Sequence, residues 1–174
     1  MGQRCRVGVV TVSLSLLAAA SLWAAEVQVY TDREIRQALL EWINQAERSI
    51  DVEMYTLTSR DVIAALKRAE AHGVEVRVIL DPNQQGNHQQ VESLKEHGVE
   101  VKWFPVRKPA LMHRKLAIVD GKRIFAGSVN WTANGLTKNE ELMLLIDDPA
   151  LATRLQERFN ADWYQSWMSE STPR

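Results

Sequence analysis

The chain reads as an α/β protein with a mixed, largely parallel β-sheet covered by helices on both faces. Three observations carry that reading. Short alternating apolar runs and longer segments of helical spacing take turns from residue 27 to residue 167. The string HGVEV occurs twice, at 72–76 and 97–101, each time as helix end, left-handed glycine and strand start. Two further apolar runs flank Asp120-Gly121, a dipeptide suited to a tight turn.

The elements follow in order. VQVYT (27–31) alternates as a strand, and Thr31 with Glu34 forms a capping box that opens an amphipathic helix to about Arg48. SIDVEMY (49–55) is a strand with Ile50, Val52 and Met54 on one side. Asp61 to Ala71 is a helix closed by Gly73, and VEVRVIL (74–80) is the next strand. DPNQQGNHQQ (81–90) reads as a polar loop, followed by a helix from about Val91 to Glu96, closed by Gly98. VEVKWF (99–104) is a strand; Pro105 and Pro109 then lead to the hairpin, the loop WTANGLTKNE and the strand ELMLLID (141–147). A final helix spans about Pro149 to Trp167, with Trp163 and Trp167 spaced to pack it down. His72 and His97 fall at helix C-termini, where the dipole favours partial positive charge, a structural role.

Residues 1–25 stand apart. Arg4 and Arg6 precede an uncharged run from Val7 to Ala25 that ends in small residues, the layout of a secretory signal peptide cleaved after Ala20, Ala24 or Ala25. An uncleaved membrane anchor formed by residues 7–25 is the alternative. Residues 26–174 form a single domain, long enough to bury a core. Export implies a periplasmic or secreted protein. Losing the leader removes Cys5, the only cysteine, so the fold rests on packing and not on disulfides. Without Arg4 and Arg6 the 21 basic residues become 19 against 22 acidic ones, a net charge of −3. No global field then draws the protein to nucleic acid or anionic lipid, and any attraction is local.

The hairpin region, MHRKLAIVDGKRIFAGSVN (112–130), places polar side chains at the ends of two apolar strands. His113 and Lys115 share a face, as do Ser128 and Asn130. A two-residue loop at Asp120-Gly121 sets His113 opposite Ser128. A loop at Gly121-Lys122 sets His113 against Asn130 and Lys115 against Ser128. Either register gathers all four groups on one side, and a three-residue loop would scatter them. Lysine ammonium, amide and hydroxyl make a donor-rich cradle for a phosphoryl group, and histidine can attack phosphorus or move a proton. Seven basic residues against one acid lie between Lys102 and Arg123, which suits a polyanionic substrate. Asp120 reads as a turn residue. Four scattered histidines and no cysteine beyond the leader give no metal-ligand spacing, so neither a metal nor another cofactor is expected.

The spacing H-x-K-x4-D-x6-G-S-x-N, carried by His113, Lys115, Asp120, Gly127, Ser128 and Asn130, resembles the HKD motif of the phospholipase D superfamily. The likeness continues through Asn139 and Glu141 and more loosely from Val27 to the last helix, and it is strongest toward short, exported bacterial endonucleases. It implies a phospholipase D-like fold and a metal-independent phosphodiesterase. His113 would be the nucleophile, forming a phosphohistidine. Lys115 and Asn130 would hold the phosphoryl oxygens, helped by Ser128, and Glu141 would fix the His113 tautomer. Asp120 and Gly127 would be structural. Because the chemistry uses two histidines and the chain has one motif, the resemblance implies a homodimer with the active site at its two-fold interface. Trp131 would then lie at the cleft, stacking on a base or buried in the interface. Nucleic acid is the expected substrate. The alternative is a phospholipase D acting on phosphatidylcholine or cardiolipin head groups, and a phosphate-binding protein without turnover is a third class.

Overall fold

The computed structural model describes residues 25–168, so the expected leader, apart from Ala25, and the tail SESTPR lie outside the described residues. The elements are β1 (Glu26–Thr31), α1 (Arg33–Asn44), β2 (Ser49–Met54), α2 (Arg60–Ala71), β3 (Glu75–Leu80), α3 (Gln85–Lys95) and β4 (Glu100–Trp103). They continue with β5 (Lys115–Val119), β6 (Arg123–Gly127), α4 (Ala133–Thr137), β7 (Leu142–Asp147), α5 (Pro149–Gln165) and β8 (Trp167–Met168). The strands form one sheet in the order β1-β7-β6-β5-β2-β3-β4-β8.

The sheet is mixed and helix-covered on both faces, as expected, but the parallel share is smaller than the sequence suggests. Only β2–β3 and β3–β4 pair in parallel, each joined by one helix; α1 and α5 also cross the sheet, but the strands they link, β1 to β2 and β7 to β8, are not neighbours in it. From β4 the chain returns without a helix, and β5 lies antiparallel to β2. The remaining ladders are antiparallel too.

Strand alternation sorts the core into two layers. Ile50, Val52 and Met54 of β2 and Val76, Val78 and Leu80 of β3 face Ile35, Leu39 and Leu66 of α1 and α2. Ile79, Leu116, Ile118 and Ile124 face Ala152 and Phe159 of α5. Each such aliphatic side chain contributes about 1.5–3 kcal/mol on burial. The alternate positions of β2 are not solvated: Asp51 and Glu53 lie buried beneath α5. Asp51 is paired with Arg77 at 2.6 Å, and Glu53 with Arg114 at 2.6 Å. Asp162 of α5 joins Arg114 and Arg158 in the same network.

Three local expectations change. The segment 81–90 is mostly helical, since α3 starts at Gln85. Its buried anchor is not apolar: Asn87, fully buried, accepts from Leu57 N–H at 2.9 Å and donates to the carbonyls of Tyr55 and Asp81. The capping box at Thr31 and Glu34 does not form; Asp32 is the N-cap of α1, and its carboxylate makes no cap hydrogen bond. Forgoing that bond costs about 1 kcal/mol. Asp32 also sits at φ 51, ψ −118, backbone angles that cost a non-glycine residue about 1–3 kcal/mol.

The third change is the hairpin. Asp120 (φ 56) and Gly121 (φ 66) do form the tight turn, but Val119 pairs with Arg123, which leaves Lys122 as an extra residue. This is the three-residue loop, so both two-residue registers are overturned. The reason is tertiary. Asp120 turns inward to collect the backbone N–H groups of Glu47, Arg48 and Ser49, and Arg123 reaches back to the same carboxylate. The expected helix-end roles of His72 and His97 hold: each ring meets a carbonyl of its own last turn, after which Gly73 and Gly98 take positive φ.

Candidate active site

The polar groups meet at one end of the sheet, where β2 and β6 finish and β5 and β7 begin. The three-residue loop puts Lys115 in register with Gly127, and Ser128 and Asn130 in the opposite alternation. Both strands stop there, and Ser128 is tied to the Lys115 side through Glu141, whose carboxylate accepts from the Ser128 hydroxyl and whose charge acts on Lys115. Beyond Gly127 the chain leaves the ladder, and Trp131 forms a bridge with Leu57 across the sheet end. Gly127 is required by packing: a Cβ there would lie 2.2 Å from the carbonyl oxygen of Leu142 on β7. Gly135 does the same for α4, where a Cβ would meet the Asn130 carbonyl at 2.4 Å.

His113 is exposed, two residues ahead of β5. The Lys115 ammonium lies 3.1 Å from each of its ring nitrogens and donates to its carbonyl at 2.9 Å. Partial burial pushes the Lys115 ammonium below the usual lysine range, and the negative charge of Glu141 opposes that shift. Tyr55, immediately after β2, packs its ring 4.5 Å from the His113 imidazole and 5.0 Å from Lys115 Nζ. Its hydroxyl accepts from Gln84 at 2.6 Å, which ties it to the start of α3. Sequence reasoning missed Tyr55; its one signal is an aromatic residue just past the end of a strand.

Glu141 precedes β7. One carboxylate oxygen accepts from Ser128 Oγ, the other from Asn139 Nδ2 at 3.2 Å. The expected His113–Glu141 hydrogen bond is not found among the described residues. The Ser128 hydroxyl gives its proton to Glu141 and accepts from Leu142 N–H at 3.1 Å. It is therefore engaged in holding Glu141 and has no proton left for a phosphoryl oxygen. The side-chain oxygen of Asn130 is buried without a hydrogen-bond partner; it is an acceptor, and a phosphoryl oxygen would instead be held by the amide N–H groups of that side chain. Trp131 is buried in the protein's own core, which overturns both roles expected of it at a cleft.

The basic residues disperse. Arg114, between His113 and Lys115, projects to the opposite side and binds Glu53 and Asp162. Arg123 sits at the far end of the hairpin on Asp120, and Lys102 donates to the Trp163 carbonyl beside that indole. Lys115 remains at the site, with exposed Arg107 and Lys108 in the loop that leads to His113. The local charge is thus smaller than a count along the chain implies. No group of three or more His, Cys, Asp or Glu suited to holding a metal ion occurs among the described residues.

Comparison with known proteins gives a consistent picture. The family described as "Cardiolipin synthase, PLD-like domain" matches residues 39–163. A mitochondrial cardiolipin hydrolase of Chlamydomonas reinhardtii is 32% identical over 127 residues, which covers 71% of this chain and 55% of that protein. A phospholipase D of Rickettsia prowazekii is 30% identical over 135 residues, 77% of this chain and 61% of its own length. The chain thus spans little more than half of these relatives. Among solved structures, the phospholipase D family member Nuc from Salmonella typhimurium superposes with a TM-score of 0.76 at 27% identity, covering 83% of this chain and 98% of that one. NucT from Helicobacter pylori shares the fold, with a TM-score of 0.75 at 22% identity, covering 83% of this chain and 99% of that one.

Proposed function

The chain belongs to the phospholipase D superfamily, and from that premise we propose that it is a metal-independent hydrolase of phosphodiester bonds in nucleic acid, working through a phosphohistidine. The observation that carries this reading is the exposed His113 imidazole set against the Lys115 ammonium. A ring nitrogen of His113 attacks phosphorus and the P–O bond to the leaving group breaks. Lys115 and Asn130 hold the non-bridging oxygens as negative charge builds on them. A second imidazole protonates the leaving oxygen, then takes a proton from the water that cleaves the P–N bond. Glu141, fixed by Ser128 and Asn139, supports the Lys115 charge.

The second imidazole comes from another copy of the chain, in a homodimer whose two-fold axis passes near His113. Apart from the site, one apolar strip lies open on the other face. α5 packs over β5 and β6, whereas β1 and β7 leave Val27, Val29 and Leu142 about half exposed on the same side of the sheet. The N-terminal residues 1–25 direct the protein to the periplasm or outside the cell, and the mass of the exported chain tests their removal.

Near-complete coverage of Nuc supports the short, single-motif nuclease reading. A phospholipase acting on lipid head groups is the second reading. It is favoured by the relatives named cardiolipin hydrolase and phospholipase D, and by exposed Leu111 beside Arg107 and Lys108. Purified protein offered plasmid DNA and cardiolipin vesicles side by side, with and without chelator, separates the readings. Nicked plasmid in the presence of chelator supports the metal-free nuclease; head-group release alone supports the lipase; loss of both with chelator overturns the mechanism.

A further inference from the structure

Asp32 has the right side chain to cap α1 and does not cap it. Its carbonyl turns into the helix to accept from Ile35 N–H at 3.3 Å. Its own N–H instead extends the β1–β7 ladder by one step, donating to the Glu141 carbonyl at 3.0 Å. The ladder's next acceptor would be the Asp32 carbonyl, which now faces the helix. The side chain takes its place: Oδ1 accepts from Glu141 N–H at 2.9 Å. The backbone angles φ 51 and ψ −118 are what let one residue face both ways, and they belong to the region glycine enters freely. Glu141 is therefore clamped at both backbone polar groups by a residue 109 positions away. Strain and a forgone cap, accepted together at one residue, need a reason.

We propose that Asp32 is a positioning residue that fixes the backbone of Glu141 and so aims its carboxylate toward Ser128, Asn139 and the Lys115 ammonium. The inference rests on the reading of Glu141 as part of the active site. An aspartate is kept here over glycine, although glycine would relax the turn, because only a side chain with an acceptor oxygen closes the second hydrogen bond.

The test uses the full chain and bis(4-nitrophenyl) phosphate, a diester probe common to the nuclease and lipase readings. Asp32→Asn keeps an acceptor oxygen and retains kcat within about threefold. Asp32→Gly relieves the backbone strain but loses the hydrogen bond to Glu141 N–H, two effects of similar size, so its thermal midpoint stays close to wild type. Its kcat nevertheless falls about tenfold with KM little changed, because the carboxylate it positions has drifted. The alkaline limb of its pH–rate profile moves to lower pH, as it does in Glu141→Gln. Added to Glu141→Gln, Asp32→Gly subtracts nothing more. A relaxed, folded Asp32→Gly enzyme with wild-type kcat overturns the proposal, as does a loss that persists in full on top of Glu141→Gln. If Glu141→Gln alone leaves kcat unchanged, the role of Glu141 fails first and the positioning role falls with it.

Discussion

The β5–β6 hairpin has two ends, and they are built to opposite rules. At the turn, Asp120 is 4% exposed and its polar atoms are well used. One carboxylate oxygen takes the N–H groups of Arg48, Glu47 and Ser49 at 2.8, 3.1 and 3.3 Å. The other takes Arg123 at 2.8 Å, and the carbonyl takes Arg48 at 2.6 Å. At the open end, five residues along each strand, His113 stands in solvent and the Asn130 oxygen is buried with no partner. Saturation holds a fold together. The turn end is dense in hydrogen bonds, although Arg123 Nε is buried there without a partner, whereas the open end leaves an imidazole accessible, and a chain has room for that only where something else carries the stability.

The sharpest way to break this contrast is His113→Ala. Turnover of any phosphodiester should fall by roughly a thousandfold or more, as removal of a nucleophile does. The unfolding free energy from urea denaturation should stay within about 0.5 kcal/mol of wild type, because the ring is exposed. A variant that unfolds instead would give the open end a structural duty and erase the distinction. Arg114→Ala comes next and probes the layer beneath. It leaves Glu53 and Asp162 buried without their shared cation, and should cost about 3 kcal/mol by urea denaturation. That is the low end for a buried network, since the guanidinium is itself partly open to water.

Asp120→Asn acts at the turn end. Burial alone would push the Asp120 carboxyl up; the N–H groups of Arg48, Glu47 and Ser49 and the Arg123 guanidinium outweigh it and hold the group below the usual aspartate range. A depressed carboxyl contributes stability that is fully present above its unfolded value and is lost as pH falls through its folded one. The wild-type protein should therefore lose stability down that acid window, and Asp120→Asn should be weaker by about 2 kcal/mol at neutral pH with a flatter acid limb. Urea midpoints across the acid range check it. Turnover per folded molecule should stay within about twofold, because the residue lies at the other end of the strands.

The same contrast explains what the sequence reveals and what it hides. The pairing of His113 with Lys115 at the start of β5 was legible because their spacing is local, and so were the strand faces of Ile50, Val52 and Met54, which alternate. The hairpin register was not. Whether the loop has two residues or three is decided by what Asp120 meets from residues 47–49, and that contact is more than seventy residues away in sequence. The count of basic residues misled for the same reason, since Arg114 and Arg123 answer to buried acids on other elements. Tyr55 and Asp32 carried no motif at all. The parallel share was overestimated because alternation shows that strands and helices take turns but not which strands become neighbours.

Glu141→Gln gives the smallest effect and the most diagnostic one. Burial lowers the Lys115 ammonium, and Glu141 is the charge that resists the shift. Activity that depends on the charged ammonium should decline as pH rises through the Lys115 value. Removing the carboxylate's charge takes away the opposing influence, so the alkaline limb should move further toward neutrality. The amide can still engage Ser128, which keeps the change electrostatic and not steric. Rates measured across the alkaline range, alongside urea midpoints, then divide the molecule cleanly: titration at the open end is visible in turnover, and titration at the Asp120 end in stability. A limb that stays in place in Glu141→Gln would mean that the Lys115 charge is set by something other than its neighbour across the site.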